Sequence, residues 1–236
     1  MPERLDKLVA LQLRLSRKEA AALVRGGAVH VDGAPARDPA RRADPAAVTV
    51  RGQPLGYRAF VYLMLHKPAG VLTAARDRKQ PTVLDCIDPA LLRRGVQPVG
   101  RLDKDTTGLL LLTDNGQLAH RLLSPRHHVW KVYRARLSNA PAPDAAGRFA
   151  AGLALEDFTC LPARLRLVEP GAQPVWEVSL REGRFHQVKR MCAAVGAQVV
   201  ALERVAFGPL RLDPALRPGE CRPLTPDEQA RLLDAD

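Results

Sequence analysis

Residues 100–116 read GRLDKDTTGLLLLTDNG. The four leucines Leu109–Leu112, with turn-forming residues on both sides, have the look of a strand buried on both faces. Asp103 stands in the segment that feeds this strand, two residues after Arg101. A carboxylate there is either a turn residue, as Asp commonly is, or a reactive group held at the edge of the core. Asp114-Asn115-Gly116 closes the strand with a turn, and Gln117–Leu123 then reads as a short helix with Leu118, Leu122 and Leu123 on its buried side.

Further strands and helices alternate around this segment. Phe60–Leu65 is apolar and strand-like, and His66-Lys67-Pro68-Ala69-Gly70 breaks it. Lys131–Leu137 alternates, which puts Lys131, Tyr133, Ala135 and Leu137 on one face and Arg134 and Arg136 on the other. Val175–Leu180 is another strand. Phe185, Val188, Met191, Cys192 and Val195 recur at helical spacing, with Lys189 at the border of that stripe, where it either snorkels to water or reaches into a cleft. Val199–Leu202 supplies a last strand. The pattern predicts an α+β fold with a mixed, largely antiparallel sheet and flanking helices.

The first 56 residues differ in character. Leu5, Leu8, Val9 and Leu13 repeat at helical spacing, and Ser16-Arg17-Lys18-Glu19 fits a capping box that opens a second helix. That helix runs to about Arg25 and stops at Gly26-Gly27. Ala28–Val31 and Val48–Val50 are short strands, with a hairpin turn at Asp32-Gly33. Pro and Gly at 52–56 mark a linker, so the expected domains are 1–56, a small αα-β module, and 57–236. No internal repeat is present.

The chain has 236 residues, 36 Lys plus Arg against 25 Asp plus Glu, and a net charge of +11. Such a balance points to a polyanionic partner. Aromatic residues make up 4%, which argues against an open platform that stacks many single-stranded bases. The N-terminus lacks the apolar segment of a secretory signal, and no apolar run approaches the roughly 20 residues of a membrane span. Cys86, Cys160, Cys192 and Cys221 are scattered without C-x-x-C spacing, which reads as buried thiols in a reducing compartment rather than a metal site. A cytoplasmic protein, monomeric and independent of membrane, is expected.

Seven segments in order resemble the RsuA-like pseudouridine synthases: FVYLMLHKPAGVLTA, QPTVLDCI, VGRLDKDTTGLLLLTDNG, SPRHHVWKVYRARL, EGRFHQVKRMCAAVG, VVALERVAFGPLRL and GECRPLTPDE. The small module resembles the S4 RNA-binding domain through RLDKLVAL, LSRKEAAALVRGGAVHVDG and VTVRG. The S4 module in front and the SPRHH segment are most similar to the branch acting on 16S ribosomal RNA. The same reaction on 23S rRNA, and a non-catalytic rRNA-binding assembly factor, are the alternatives.

The resemblance implies conversion of uridine to pseudouridine: the N1–C1′ bond breaks, the base turns, and C5 joins C1′. No atom is lost, so neither redox cofactor nor metal is expected. Asp103 becomes the essential carboxylate, as nucleophile or base, Tyr133 the residue packing on the target base, and Lys189 the cation that keeps Asp103 ionised. Leu202 would close over the base, and Arg101 would fill the place vacated by the flipped nucleotide. Arg126, His127 and His128 would line the RNA path, while Arg17, Lys18 and Arg25 of the S4-like module would face structured RNA, with Lys7 a weaker candidate.

Overall fold

Leu109–Leu112 lie at 0% exposure inside the strand Thr107–Thr113, near the middle of a nine-stranded mixed sheet. The computed structural model describes residues 2–93, 95–124 and 129–235. Two compact units are present: one runs through Val61 and takes in Arg93 and Gly95, the other holds Tyr62–Leu92 and the chain from Val96 onward.

In the first unit, helix α1 (Leu5–Leu13) and helix α2 (Arg17–Arg25) pack on a small sheet. The capping box forms as its sequence requires: Ser16 Oγ accepts from the Glu19 amide at 3.2 Å, and Glu19 Oε2 accepts from the Ser16 amide at 2.7 Å. Strand β1 (Val29–Val31) pairs with β2 (Ala34–Pro35) and β3 (Val48–Val50), which pairs in turn with β4 (Gln53–Pro54). Both two-residue turns, Asp32-Gly33 and Arg51-Gly52, have positive φ throughout, the geometry of the type I′ hairpin. Leu5, Leu8, Val9, Val24, Val29 and Val48 form the core. Leu13, expected on the apolar face of α1, is 40% exposed because the helix ends there and Arg14 turns left-handed.

The second unit is built on strands β5 (Tyr62–Lys67), β6 (Thr107–Thr113), β7 (Lys131–Leu137), β8 (Arg164–Glu169), β9 (Val175–Leu180), β10 (Val199–Phe207) and β11 (Cys221–Pro223). They lie in the order β8-β9-β7-β10-β6-β5-β11, with two short strands added at the side. Every pairing is antiparallel except β6 with β10, where Thr107 faces Glu203 and Gly108 faces Arg204. This is the mixed, largely antiparallel α+β sheet that the alternation predicts. Helix α3 (Gly116–Leu123) is capped by Asn115, whose Oδ1 accepts from the Leu118 amide and whose Nδ2 donates to the Tyr62 hydroxyl.

Two expectations shift. The strand placed at Phe60–Leu65 runs from Tyr62 to Lys67, because Lys67 is wholly buried rather than a terminator, and Phe60 is 43% exposed. Phe185 does not belong to the apolar stripe. Helix α4 (Ala145–Ala151) follows β7, and helix α5 begins at Gln187 and runs to Ala194; Phe185, in the turn before α5, is 75% exposed. Among the described residues no helix is long and apolar enough to cross a membrane.

Candidate active site

The loop before β6 is tied down from behind. Lys67 Nζ donates to the carbonyls of Pro68 (2.9 Å), Lys104 (3.2 Å) and Thr106 (2.9 Å), so a fully buried ammonium has three oxygen acceptors. Burial pushes its pKa down to about 8, against the pull of Asp105, Cys86 and Asp103. Thr73 Oγ1 donates to Leu102 O at 2.8 Å and accepts from the Leu102 amide, and Gly70 N donates to Lys104 O. The segment His66–Gly70 therefore acts with Thr73 as a clamp on the Asp103 loop.

Asp103 opens onto a cleft of about 830 Å³ shared with Arg101, Tyr133, Lys189 and Leu202. Its side chain is about one-third exposed. Tyr133 and Leu202, on β7 and β10, are 8% and 7% exposed, whereas Arg101 is exposed. Lys189 comes from α5 and makes its hydrogen bonds to Asp105, at 2.7 and 2.8 Å, while standing 3.5 Å from Asp103 Oδ2. Asp105 thus has the closer hold on the lysine, and that ammonium keeps the Asp105 carboxyl below its usual range. His186 Nε2 lies 3.8 Å from Asp103 Oδ2. The Phe185 ring stacks on His186 with centroids 3.8 Å apart, and both rings line the cleft.

Arg126, His127 and His128 lie outside the described residues. Lys18 and Arg25 are exposed on α2. Arg17 is exposed too but spoken for, since its Nη2 reaches both oxygens of Asp6 at 2.9 and 2.8 Å.

Sequence reading passed over His186, Lys131 and Arg204, and held Asp105 only as the next candidate carboxylate after Asp103. Lys131 carried a usable signal, because strand alternation puts it on the same face as Tyr133. Arg204 sits two residues after Leu202 in a strand that continues to Phe207, so alternation also places it beside the cleft.

The family model for RNA pseudouridylate synthase matches residues 61–194, and that for the S4 domain matches residues 3–48. The chain is 46% identical to the uncharacterised RNA pseudouridine synthase YtzG of Bacillus subtilis, over 98% of each chain. It is 43% identical to ribosomal small subunit pseudouridine synthase A of Escherichia coli K12, over 98% of this chain and all of that one. A crystal structure of a pseudouridylate synthase superposes with a TM-score of 0.67 at 34% identity, covering 97% of this chain and 99% of the other. With an S4 domain ahead of a catalytic domain on a mixed sheet, this chain belongs to the RNA pseudouridine synthases, which are isomerases.

Proposed function

We propose that this enzyme converts one uridine of 16S ribosomal RNA to pseudouridine, with Asp103 as its catalytic carboxylate. The observation that carries the substrate is the near-full-length likeness to ribosomal small subunit pseudouridine synthase A. Asp103 is supported by its position: a carboxylate on a clamped loop, facing a cleft large enough for a nucleotide, with cations at hand.

The target uridine is turned out of its stack to reach the cleft. The anionic Asp103 acts at the ribose, Tyr133 packs on the base, and Leu202 closes the apolar side. The N1–C1′ bond breaks, C5 bonds to C1′, the C5 proton leaves, and N1 takes up a proton. Arg101, at the exposed lip, holds the gap left in the RNA. Lys189 supplies positive charge to the Asp103–Asp105 pair. The N-terminal unit docks the substrate through Lys18 and Arg25, and through Arg17 where RNA phosphate competes with Asp6.

Pseudouridine mapping in the rRNA of a deletion strain, and in 16S and 23S transcripts treated with the purified enzyme, tests this reading. One site in 16S RNA, lost on deletion and restored in vitro, is expected. A site in 23S RNA would reassign the substrate, and RNA binding without any product would make the chain an assembly factor.

A further inference from the structure

Two cations line the cleft, and among the described residues no carboxylate is bonded to either. Arg204 is 1% exposed; its Nε donates to Leu109 O at 2.8 Å, and its Nη2 has no hydrogen-bond partner among the described residues. Lys131, paired to Phe207 across β7 and β10, makes one hydrogen bond among the described residues, to Val129 O at 3.2 Å. Both groups gather on the buried Phe207 ring, with Lys131 Nζ 5.8 Å and the Arg204 guanidinium carbon 5.2 Å from its centroid. All three residues line the same cleft as Asp103 and Tyr133, and Tyr133 and Arg204 are direct neighbours in the sheet.

Burial chiefly, and then repulsion from Arg204, pushes Lys131 down to about 8, with Glu182 pulling the other way. A buried guanidinium beside a half-buried ammonium, with so little compensation, is an unfavourable arrangement unless an anion joins them. Leaving a guanidinium nitrogen buried without a partner is equally unfavourable. Both defects are relieved by one ligand, a negative charge brought into the cleft.

We propose that Lys131 and Arg204 form a subsite for the uracil ring, which takes the negative charge when the N1–C1′ bond opens. As that bond breaks its electron pair stays on N1, and the charge spreads to the ring oxygens O2 and O4. A flat, delocalised anion suits a floor made of Phe207 with donors at its edge, whereas a phosphate, strongly hydrated, loses more on entering an apolar recess. The donors are present before the charge develops, so they act on the transition state rather than on the bound uridine. This inference rests on the isomerase reading above. It adds two residues that bear on the leaving base, where Asp103 bears on the sugar.

The test is the single-turnover loss of the N1-linked nucleoside at the target of whichever RNA the wild-type enzyme modifies, the 16S transcript by the reading above, made either with uridine or with 5-fluorouridine there. The fluorinated ring has no C5 proton to release, so cleavage of the N1–C1′ bond is what is read. Fluorine acidifies the ring and makes it a better leaving group. Lys131→Met is expected to slow uridine turnover by about a hundredfold with RNA affinity unchanged, to lose about tenfold less on 5-fluorouridine, and to be rescued in large part by Lys131→Arg. Arg204→Lys, which keeps a charge but removes Nη2, is expected to show the same difference between substrates, with thermal unfolding as the check on its fold. A Lys131→Met enzyme with wild-type rate would overturn the subsite. So would an equal loss on both RNAs, the pattern of a phosphate anchor or a packing residue. Failure of the substrate reading looks different, because there the wild-type enzyme itself leaves 16S RNA unmarked.

Discussion

Asp103 and Asp105 stand two residues apart in one turn and share a single ammonium, with Asp105 the nearer. Their chemical roles are nonetheless separable. Asp105 is 72% exposed and bonded to Lys189, a group that steadies the turn, while Asp103 is the more sheltered carboxylate in the cleft. Asp103→Asn is therefore expected to abolish tritium release from C5-labelled RNA while RNA binding persists, and Asp105→Asn to keep activity within about tenfold of wild type, a modest loss of orientation. The reverse pattern would transfer the catalytic role to Asp105. Lys189→Met leaves both carboxylates without their nearest ammonium. Losing that close cation lets the Asp105 carboxyl return toward its ordinary range, so Lys189→Met should loosen the turn that carries Asp103 and lower the single-turnover rate by about tenfold. Lys189→Arg, which keeps the charge, should hold the rate near its wild-type value.

At the level of elements, helices α1 and α2 are joined by a single carboxylate. Asp6, in the first turn of α1, is 6% exposed and takes hydrogen bonds from Arg4 and from Arg17 of α2. The Arg4 guanidinium foremost, and Arg17 with it, hold its pKa at about 2. A carboxyl depressed in the folded state stabilises above its unfolded pKa and loses that stabilisation as pH falls through the folded one. Acid should therefore weaken the N-terminal unit from about pH 4 down toward pH 2. Asp6→Asn should lower stability at neutral pH by roughly 1–2 kcal/mol and flatten that acid dependence, as urea unfolding at several pH values would register. The junction of β6 with β10 is less forgiving. A Cβ on Gly108 would lie 2.3 Å from Arg204 O, at φ +101°, so Gly108→Ala should displace the strand that follows the Asp103 loop and destabilise by about 3 kcal/mol or more.

The same two places mark how far local sequence carries. Alternation in Lys131–Leu137 and the Ser16–Glu19 capping box are local patterns, and both were legible because neighbouring residues alone determine them. Asp103, Tyr133, Leu202 and Arg101 could be named as cleft residues from motif likeness. Lys67 was misread as a strand breaker, since its burial depends on carbonyls up to 39 residues away. Parallel pairing of Gly108 with Arg204 joins segments 95 or more residues apart, and no period in either strand announces it. Arg204 was missed because the last strand was ended at Leu202, two residues short of it, and Phe185 because its apolar character matched a helical repeat that starts two residues later.

For the whole molecule, a net charge of +11 implies that RNA affinity falls steeply with salt. If the N-terminal unit supplies docking, Lys18→Ala with Arg25→Ala should lower the slope of log affinity against log salt by about one to two and leave the single-turnover rate at saturating RNA unchanged. Filter binding across a salt series measures the first and the tritium assay the second. An unaltered slope would assign docking to the catalytic unit.

Arg93 is the feature with the widest practical reach. Its guanidinium donates to the carbonyls of Arg58 and Ala59 at 2.7 and 2.8 Å, so a short stretch from the middle of the catalytic sequence is built into the N-terminal unit. A protease cutting between Ala59 and Tyr62 would part the backbone, and those two hydrogen bonds would still hold Arg93 to the N-terminal fragment without a covalent link. Module swapping between relatives faces the same geometry. A chimera joined at a single point after Val61 would set Arg58 and Ala59 of one relative against residue 93 of the other, and a faithful exchange carries Arg93 along with the first sixty-one residues.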